Sequence, residues 1–162
     1  MAAPAPFTIR RATEADAPTL GRLGALLLRA HHTFDAQRFM APGRSPEVGY
    51  GSFLVSQLAD DDVVVFVAEG EGAVIGYVYA GLEPRSWKEL RDACGFIHDV
   101  AVIESGRRSG VATALIDAEV QWLGVRGAPR VILWSAERNE GAQRLFARLG
   151  FRRTMVEMTR EL

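Results

Sequence analysis

The segment Arg107-Arg108-Ser109-Gly110-Val111-Ala112 has the make-up of an anion site. An apolar run, Phe96 to Ile103, precedes it, and a helical pattern begins near Val111. That order reads as strand, tight basic loop, helix. Gly110 lets the backbone come close to a ligand. The helix start presents unpaired N–H groups and the positive end of the helix dipole. Phosphate is the anion that suits such a corner best. A short glycine loop is unspecific by itself. Its weight comes from a second element downstream, Asn139 to Phe151, which reads as a capped helix closed by Gly150.

Periodicity supplies the elements that must position this loop. Phe7 to Arg10 is a strand candidate. Thr13 followed by Asp16 is a helix start, with Leu20, Leu23, Gly24, Leu27 and Leu28 at helical spacing behind it. His31 to Gly43 is irregular. Ser45-Pro46-Glu47 opens a second helix: capping serine, proline in the first turn, then an acid. Val63 to Ala68 is β-branched and reads as a buried strand. Glu69 to Gly72 is a turn, and Ala73 to Ala80 is the returning strand of a hairpin. Glu83 to Asp92 is a polar loop holding Pro84 and Trp87. Gly95 to Val102 is another strand. Val111, Leu115, Ala118, Trp122 and Leu123 form the apolar stripe of a helix. Val131 to Trp134 reads as a strand, Ala142, Leu145, Phe146 and Leu149 as a helix stripe, and Arg152 to Thr159 as a last strand. The succession predicts an α/β fold, a mixed sheet with helices on its faces, in one domain over residues 1–162.

Composition narrows the class. A chain of 162 residues can bury a sizeable core. Hydrophobic residues at 48% and charged residues at 24% are ordinary for a soluble globular protein. The net charge of −1 gives no global reason to expect nucleic acid or an anionic membrane as partner. No segment approaches the ~20 apolar residues that span a bilayer. Cys94 is the sole cysteine, so no intrachain disulfide and no cysteine-rich metal site is expected. That fits a reducing compartment. Met1 to Pro6 lacks a basic stretch followed by a long apolar run, so no signal peptide is read and a cytoplasmic protein is the expectation.

On these residues the chain resembles the GCN5-related N-acetyltransferase (GNAT) family. Arg107-x-x-Gly110-x-Ala112 matches the family's acetyl-CoA pyrophosphate motif, Arg/Gln-x-x-Gly-x-Gly/Ala. Ile97 to Val102 resembles its central fourth strand. Asn139-x-x-Ala142-x-x-Leu145-Phe146-x-x-x-Gly150-Phe151 resembles its second motif, Asn-x-x-Ala-x-x-Leu-Tyr-x-x-x-Gly-Phe. The match covers residues 96 to 151, and element order extends it more weakly to the whole chain. The resemblance implies a GNAT-like mixed, mostly antiparallel central sheet flanked by helices on both faces. It implies acetyl-CoA as co-substrate and acetyl transfer to a primary amine of a small molecule or peptide. The pantetheine arm would pair like an added strand with backbone groups of Val100, Ala101 and Val102. The pyrophosphate would rest on N–H groups from Arg108, Ser109, Gly110, Val111, Ala112 and Thr113. Arg107 and Arg108 either add charge there or form a solvated pair. Asn139 would lie near the CoA arm and also cap its helix. The family's habits imply a homodimer, which no sequence feature shows.

Acetyl transfer requires the acceptor ammonium to lose a proton before attack. His98 is the candidate base, at a position where several family members place Glu or His, and its ordinary pKa near ~6.5 suits the task. A histidine satisfied by hydrogen bonds within the sheet is the equal alternative. Regular alternation puts Phe96, His98, Val100 and Val102 on one face and Asp99 on the other. A bulge would redirect Asp99, either toward the substrate amine or into an arginine pair. Glu83 and Glu137 carry no distinguishing signal. Phe146 stands where the family often has a tyrosine, proposed to protonate the departing thiolate; phenylalanine packs but cannot donate. That departure favours a rival reading, a non-catalytic acyl-CoA-binding sensor with the same fold. A generic phosphate-binding domain is a second rival, opposed by the Asn139–Phe151 segment. His31, His32 and Asp35 fall in the region that family members use for acceptor recognition. No metal-ligand set is apparent.

Overall fold

A computed structural model of the chain describes residues 6–162; of the Met1–Pro6 segment, all but Pro6 lie outside the described residues. The strands are β1 (Phe7–Arg11), β2 (Val63–Gly70), β3 (Ala73–Glu83), β4 (Cys94–Val102) and β5 (Val131–Leu133). The helices are α1 (Ala17–Phe34), α2 (Pro46–Gln57), α3 (Val111–Val125) and α4 (Glu140–Arg148). The sheet runs β1-β2-β3-β4-β5, antiparallel except for the parallel pair β4–β5. The expected mixed, mostly antiparallel sheet with helices on both faces is therefore observed. Leu115, Ile116 and Leu123 of α3 pack with Ala68, Val78, Ala80 and Ile97 on one face. Leu20, Leu23 and Leu54 of α1 and α2 pack with Val65, Val67 and Tyr77 on the other. Each fully buried Leu, Ile or Val among them contributes on the order of 1.5–3 kcal/mol.

Local chemistry sets the ends of these elements. The Thr13 N–H donates to Asp16 Oδ2 at 2.8 Å, and Arg10 grips the same carboxylate at 2.8 and 2.9 Å. Hydrogen bonding by Arg10 holds that carboxyl below its ordinary pKa. The β2–β3 hairpin turns on Glu71 and Gly72, both at positive φ (52° and 78°), the two-residue turn whose twist matches its strands. Ser45 occupies the N-cap of α2 but makes no side-chain cap bond, so Pro46 at the first turn carries that start.

Helices α1 and α2 meet through a seam of glycines. A Cβ on Gly24 would stand 2.1 Å from Cδ1 of Tyr50, one on Gly21 would stand 2.1 Å from the Glu47 carbonyl oxygen, and one on Gly51 would stand 2.6 Å from the Ala17 carbonyl oxygen. Only glycine permits this approach. It lays the Tyr50 ring onto the sheet.

Two expectations need correction. The first concerns alternation along β4. Ala80 pairs with Ile97 and Tyr79 with Asp99, so His98 is an extra residue opposite β3, a β-bulge. Ile97, Val100 and Val102 pack with the α3 core. His98 stacks on Phe96 and Asp99 bonds to Tyr50 and Tyr77, on the α1/α2 side where Ala101 also packs. His98 and Asp99 thus share a face, and Val100 and Val102 occupy the other. The second concerns Arg152 to Thr159, which forms no strand. β5 is only three residues long, and Thr154 and Met155 share a hollow of about 140 Å³ with its Ile132 and the following Trp134 instead of pairing with its edge. The tail is tied down by ion pairs Arg38–Glu157 and Arg153–Glu137.

Candidate active site

Strands β4 and β5 pair only at Gly95–Val131, Phe96–Ile132 and Ile97–Leu133. Past Ile97 they part, and the backbone of His98 to Val102 has no strand on its β5 side. The parting opens a cleft of about 330 Å³. His98, Asp99 and Val100 line it from β4, and Trp134 from the end of β5. Asn139 and Phe146 line it from α4, and Leu27, Leu28 and His31 from α1. Its volume lies at the lower end of the roughly 300–1,000 Å³ typical of small-molecule sites.

Four predicted site residues, His98, Val100, Asn139 and Phe146, therefore meet in one cleft. Asn139 caps α4, its Oδ1 accepting from the Ala142 N–H at 3.2 Å. Phe146 packs against Phe151, with ring centres 6.0 Å apart. Ala101 faces α1 and α2, while Val102 faces α3. Arg107 to Thr113 lie beyond the cleft, where β4 passes through a 3-10 turn (Glu104–Gly106) into α3. Arg108 and Gly110 both take positive φ, 61° and 86°. A non-glycine residue there costs roughly 1–2 kcal/mol. In this loop no N–H from Arg108 to Thr113 has a close, well-aligned partner in the described main chain. Ser109 Oγ donates to the Gly106 carbonyl at 2.6 Å and pins the loop. Both arginines are exposed.

His98 sits between two rings, Phe96 (4.6 Å, stacked) and Tyr79 (4.9 Å, tilted). Its Nε2 lies 3.2 Å from Glu83 Oε1, at the end of β3. A proton on Nε2, facing that carboxylate, would leave Nδ1 as the acceptor. Burial lowers the imidazole pKa, against the opposing pull of Glu83 and Asp99. Beside it, Asp99 Oδ2 accepts from Tyr50 Oη at 2.6 Å and from Tyr77 Oη at 3.1 Å. Burial raises the Asp99 pKa, and the two phenols oppose the rise. Burial raises both phenol pKa values as well, so the two hydroxyls remain donors. The third tyrosine of the face, Tyr79, donates to Gln57 Oε1 at 3.1 Å.

Glu83, Tyr50 and Tyr77 were not distinguishable in the sequence. Tyr50 shares the buried face of α2 with Leu54, four residues on, and that spacing was the available signal. His31 lines the cleft, its Nδ1 2.9 Å from the Leu27 carbonyl, whereas His32 turns to the Phe39 carbonyl at 3.2 Å. Asp35 accepts from the N–H groups of Gln37 and Arg38 in the following turn. Trp87 is 80% exposed and does not line the cleft. Among the described residues, no three His, Cys, Asp or Glu side chains converge as metal ligands, and no helix is long and apolar enough to cross a membrane.

A sheet that opens at the fourth strand, above a glycine loop leading into a helix, is the architecture of an acyltransferase fold. The sequence agrees: the model of the Acetyltransferase (GNAT) family matches residues 30–151, and the chain belongs to that family. An N-alpha-acetyltransferase of Sulfurisphaera tokodaii is 33% identical over 109 residues, 64% of this chain and 65% of that protein. An uncharacterized N-acetyltransferase of Methanocaldococcus jannaschii is 30% identical over 145 residues, 90% of this chain and 60% of that protein. The chain thus spans somewhat under two thirds of the length of these relatives. Among solved structures, the aminoglycoside N-acetyltransferase AAC(6')-Iy in complex with CoA superposes with a TM-score of 0.75 at 19% identity. That match covers 98% of this chain and 95% of the other, and shows a shared fold.

Proposed function

We propose that the protein is an acetyl-CoA-dependent N-acetyltransferase acting on a primary amine. The observation that carries this reading is an unpaired β4 edge with His98 in one cleft, leading on to a loop of N–H groups at the start of α3. The residues fit the co-substrate. Backbone groups of Val100 to Val102 lack a strand partner on the β5 side and offer ladder bonds to an amide-bearing arm. The N–H groups of Arg108 to Thr113, at the positive end of α3, suit a pyrophosphate. Asn139 and Phe146 wall the arm from α4. Bound acetyl-CoA supplies an acetyl thioester, an acyl group already activated toward an amine. The chain supplies the proton acceptor: His98 Nδ1, in a ring held by Phe96 and Tyr79 and oriented through Nε2 by Glu83. The names of the relatives, N-acetyltransferases, and the CoA-bound structural neighbour support the same reading.

Phe146 offers no hydroxyl, and the Tyr50, Tyr77 and Tyr79 hydroxyls are all engaged. The proton for the leaving thiolate then comes from water. The unperturbed thiol pKa of ~8.5 makes that a modest demand. The sensor alternative rests on this same residue. Calorimetric titration with acetyl-CoA, with ATP as control, followed by thiol release with a panel of amines, separates the readings. Binding with release supports the transferase, binding without release supports the sensor, and no binding rejects both.

A further inference from the structure

The cleft also specifies the chemistry of the acceptor, an inference that rests on the transferase reading above. Both tyrosine hydroxyls aim at the same oxygen of Asp99, Oδ2, and no described residue bonds Oδ1. Asp99 lines the cleft, and Oδ1 is not among the buried unpartnered atoms, so it is open to a visitor. The carboxylate is held rigidly for that purpose. Tyr50 is seated by the glycine seam of α1 and α2, and Tyr77 is fully buried in β3. The bulge at His98 turns Asp99 to this side.

Two imidazoles add acceptors to the lining, beside N–H donors on Trp134 and Asn139. His98 faces its partner Glu83 with Nε2, leaving Nδ1 as acceptor. His31 directs Nδ1 to the Leu27 carbonyl, leaving Nε2 as acceptor when the ring is neutral. The one permanent cation of the lining, Arg38, is occupied by Glu157 of the C-terminal tail through two bonds. The Asp99 carboxylate, the one acidic side chain of the lining and without a cationic partner, therefore asks for a donor with positive charge. Around it the α1 side is apolar: Leu27, Leu28, Phe39 and Met40.

We propose that Asp99 anchors the acceptor, and that the acceptor is a primary ammonium on an apolar body without an anionic group next to the amine. The ammonium binds at Asp99 Oδ1, adjacent in sequence and in space to the base His98, and the body lies against Leu27, Leu28, Phe39 and Met40. The ammonium first gives one proton to His98 Nδ1; the neutral amine then attacks the thioester carbonyl, the C–N bond forms, the C–S bond breaks as the adduct collapses, and the second N–H proton passes through water to the departing sulfur. The CoA thiolate leaves with the electron pair.

The test compares phenylethylamine with phenylalanine, which differ only by a carboxylate beside the amine. With saturating acetyl-CoA, phenylethylamine should exceed phenylalanine at least tenfold in kcat/KM. In Asp99→Asn, the KM for phenylethylamine should rise at least tenfold. The affinity of phenylethylamine for the protein–CoA complex, read by calorimetry without turnover, should fall in parallel. Acetyl-CoA affinity of the variant should stay unchanged, which also reports that it is folded. Equal use of the two amines, or unchanged amine affinity in Asp99→Asn, overturns the anchor while leaving the transferase reading intact. Absence of acetyl-CoA binding in the wild type overturns both. If Asp99→Asn loses acetyl-CoA binding, the pair Tyr50→Phe and Tyr77→Phe repeats the test. Unchanged phenylethylamine affinity in both of those variants overturns the anchor as well.

Discussion

Glu119 is a carboxyl group in the wrong place for an ionised acid. It sits on α3 between the buried residues Leu115, Ile116 and Leu123, is itself 0% exposed, and neither oxygen has a hydrogen-bond partner. Burial pushes its pKa up to about 9, and the nearest compensating charge, Arg11, offsets little of that. In the unfolded chain the same group titrates near its ordinary ~4.3. The folded state therefore holds a proton that the unfolded state has released, and stability falls as pH rises from the lower value to the higher. The slope is about 1.4 kcal/mol per pH unit, so at pH 7 the burden is on the order of 3–4 kcal/mol. Glu119→Gln keeps the shape and removes the titration. The variant should match the wild type near pH 4.5 and gain on it steadily above. Urea unfolding at pH 5 and pH 8 measures the divergence, which should reach several kcal/mol. Parallel pH dependence of the two proteins, or a variant that is less stable at pH 8, would refute the reasoning.

Other substitutions test the positioning of the site. Gly24→Ala drives a methyl group into the Tyr50 ring and should cost about 1–3 kcal/mol in thermal or urea unfolding; an unchanged melting temperature would mean that the α1–α2 seam yields freely. Gly110→Asp places a carboxylate and a side chain at φ 86° in the loop, and acetyl-CoA affinity by calorimetry should fall at least tenfold, about 1.4 kcal/mol or more. For His98, burial places the base below its ordinary pKa, so kcat/KM should be full above about pH 6.5 and decline as the imidazole takes a proton at lower pH. His98→Ala should abolish that acid limb, and Glu83→Gln should move it to lower pH by removing the carboxylate that favours the charged ring. An unaltered pH–rate profile in both would remove His98 from the reaction.

Much of this was legible locally. The Thr13/Asp16 box, the glycine loop, the Asn139 cap and the period of each helix lie within a few residues of one another, where capping and steric preference act directly. The bulge entered the sequence reading only as an alternative to regular alternation, because a register shift depends on how β3 and β4 fit over their whole length, not on any side chain at position 98. Glu83 became informative only once antiparallel pairing set it beside His98, and Tyr50 reaches Asp99 across 49 positions of chain. The C-terminal tail shows the opposite failure. Its residues suit a strand, but a strand needs a partner edge, and the tail instead lies exposed beside a three-residue β5.

The bulge in β4 makes His98 a passenger of the sheet. It has no partner across β3, and every other residue of the strand keeps the face it would occupy in a ladder lacking position 98. Deleting a residue from a regularly paired part of a central strand throws everything beyond it onto the wrong face. Deleting His98 alone would leave Ile97, Val100 and Val102 toward α3 and Asp99 and Ala101 toward α1 and α2. The harshest kind of mutation is mild at this position. The fold can therefore gain or lose the imidazole as a module, without renegotiating either core.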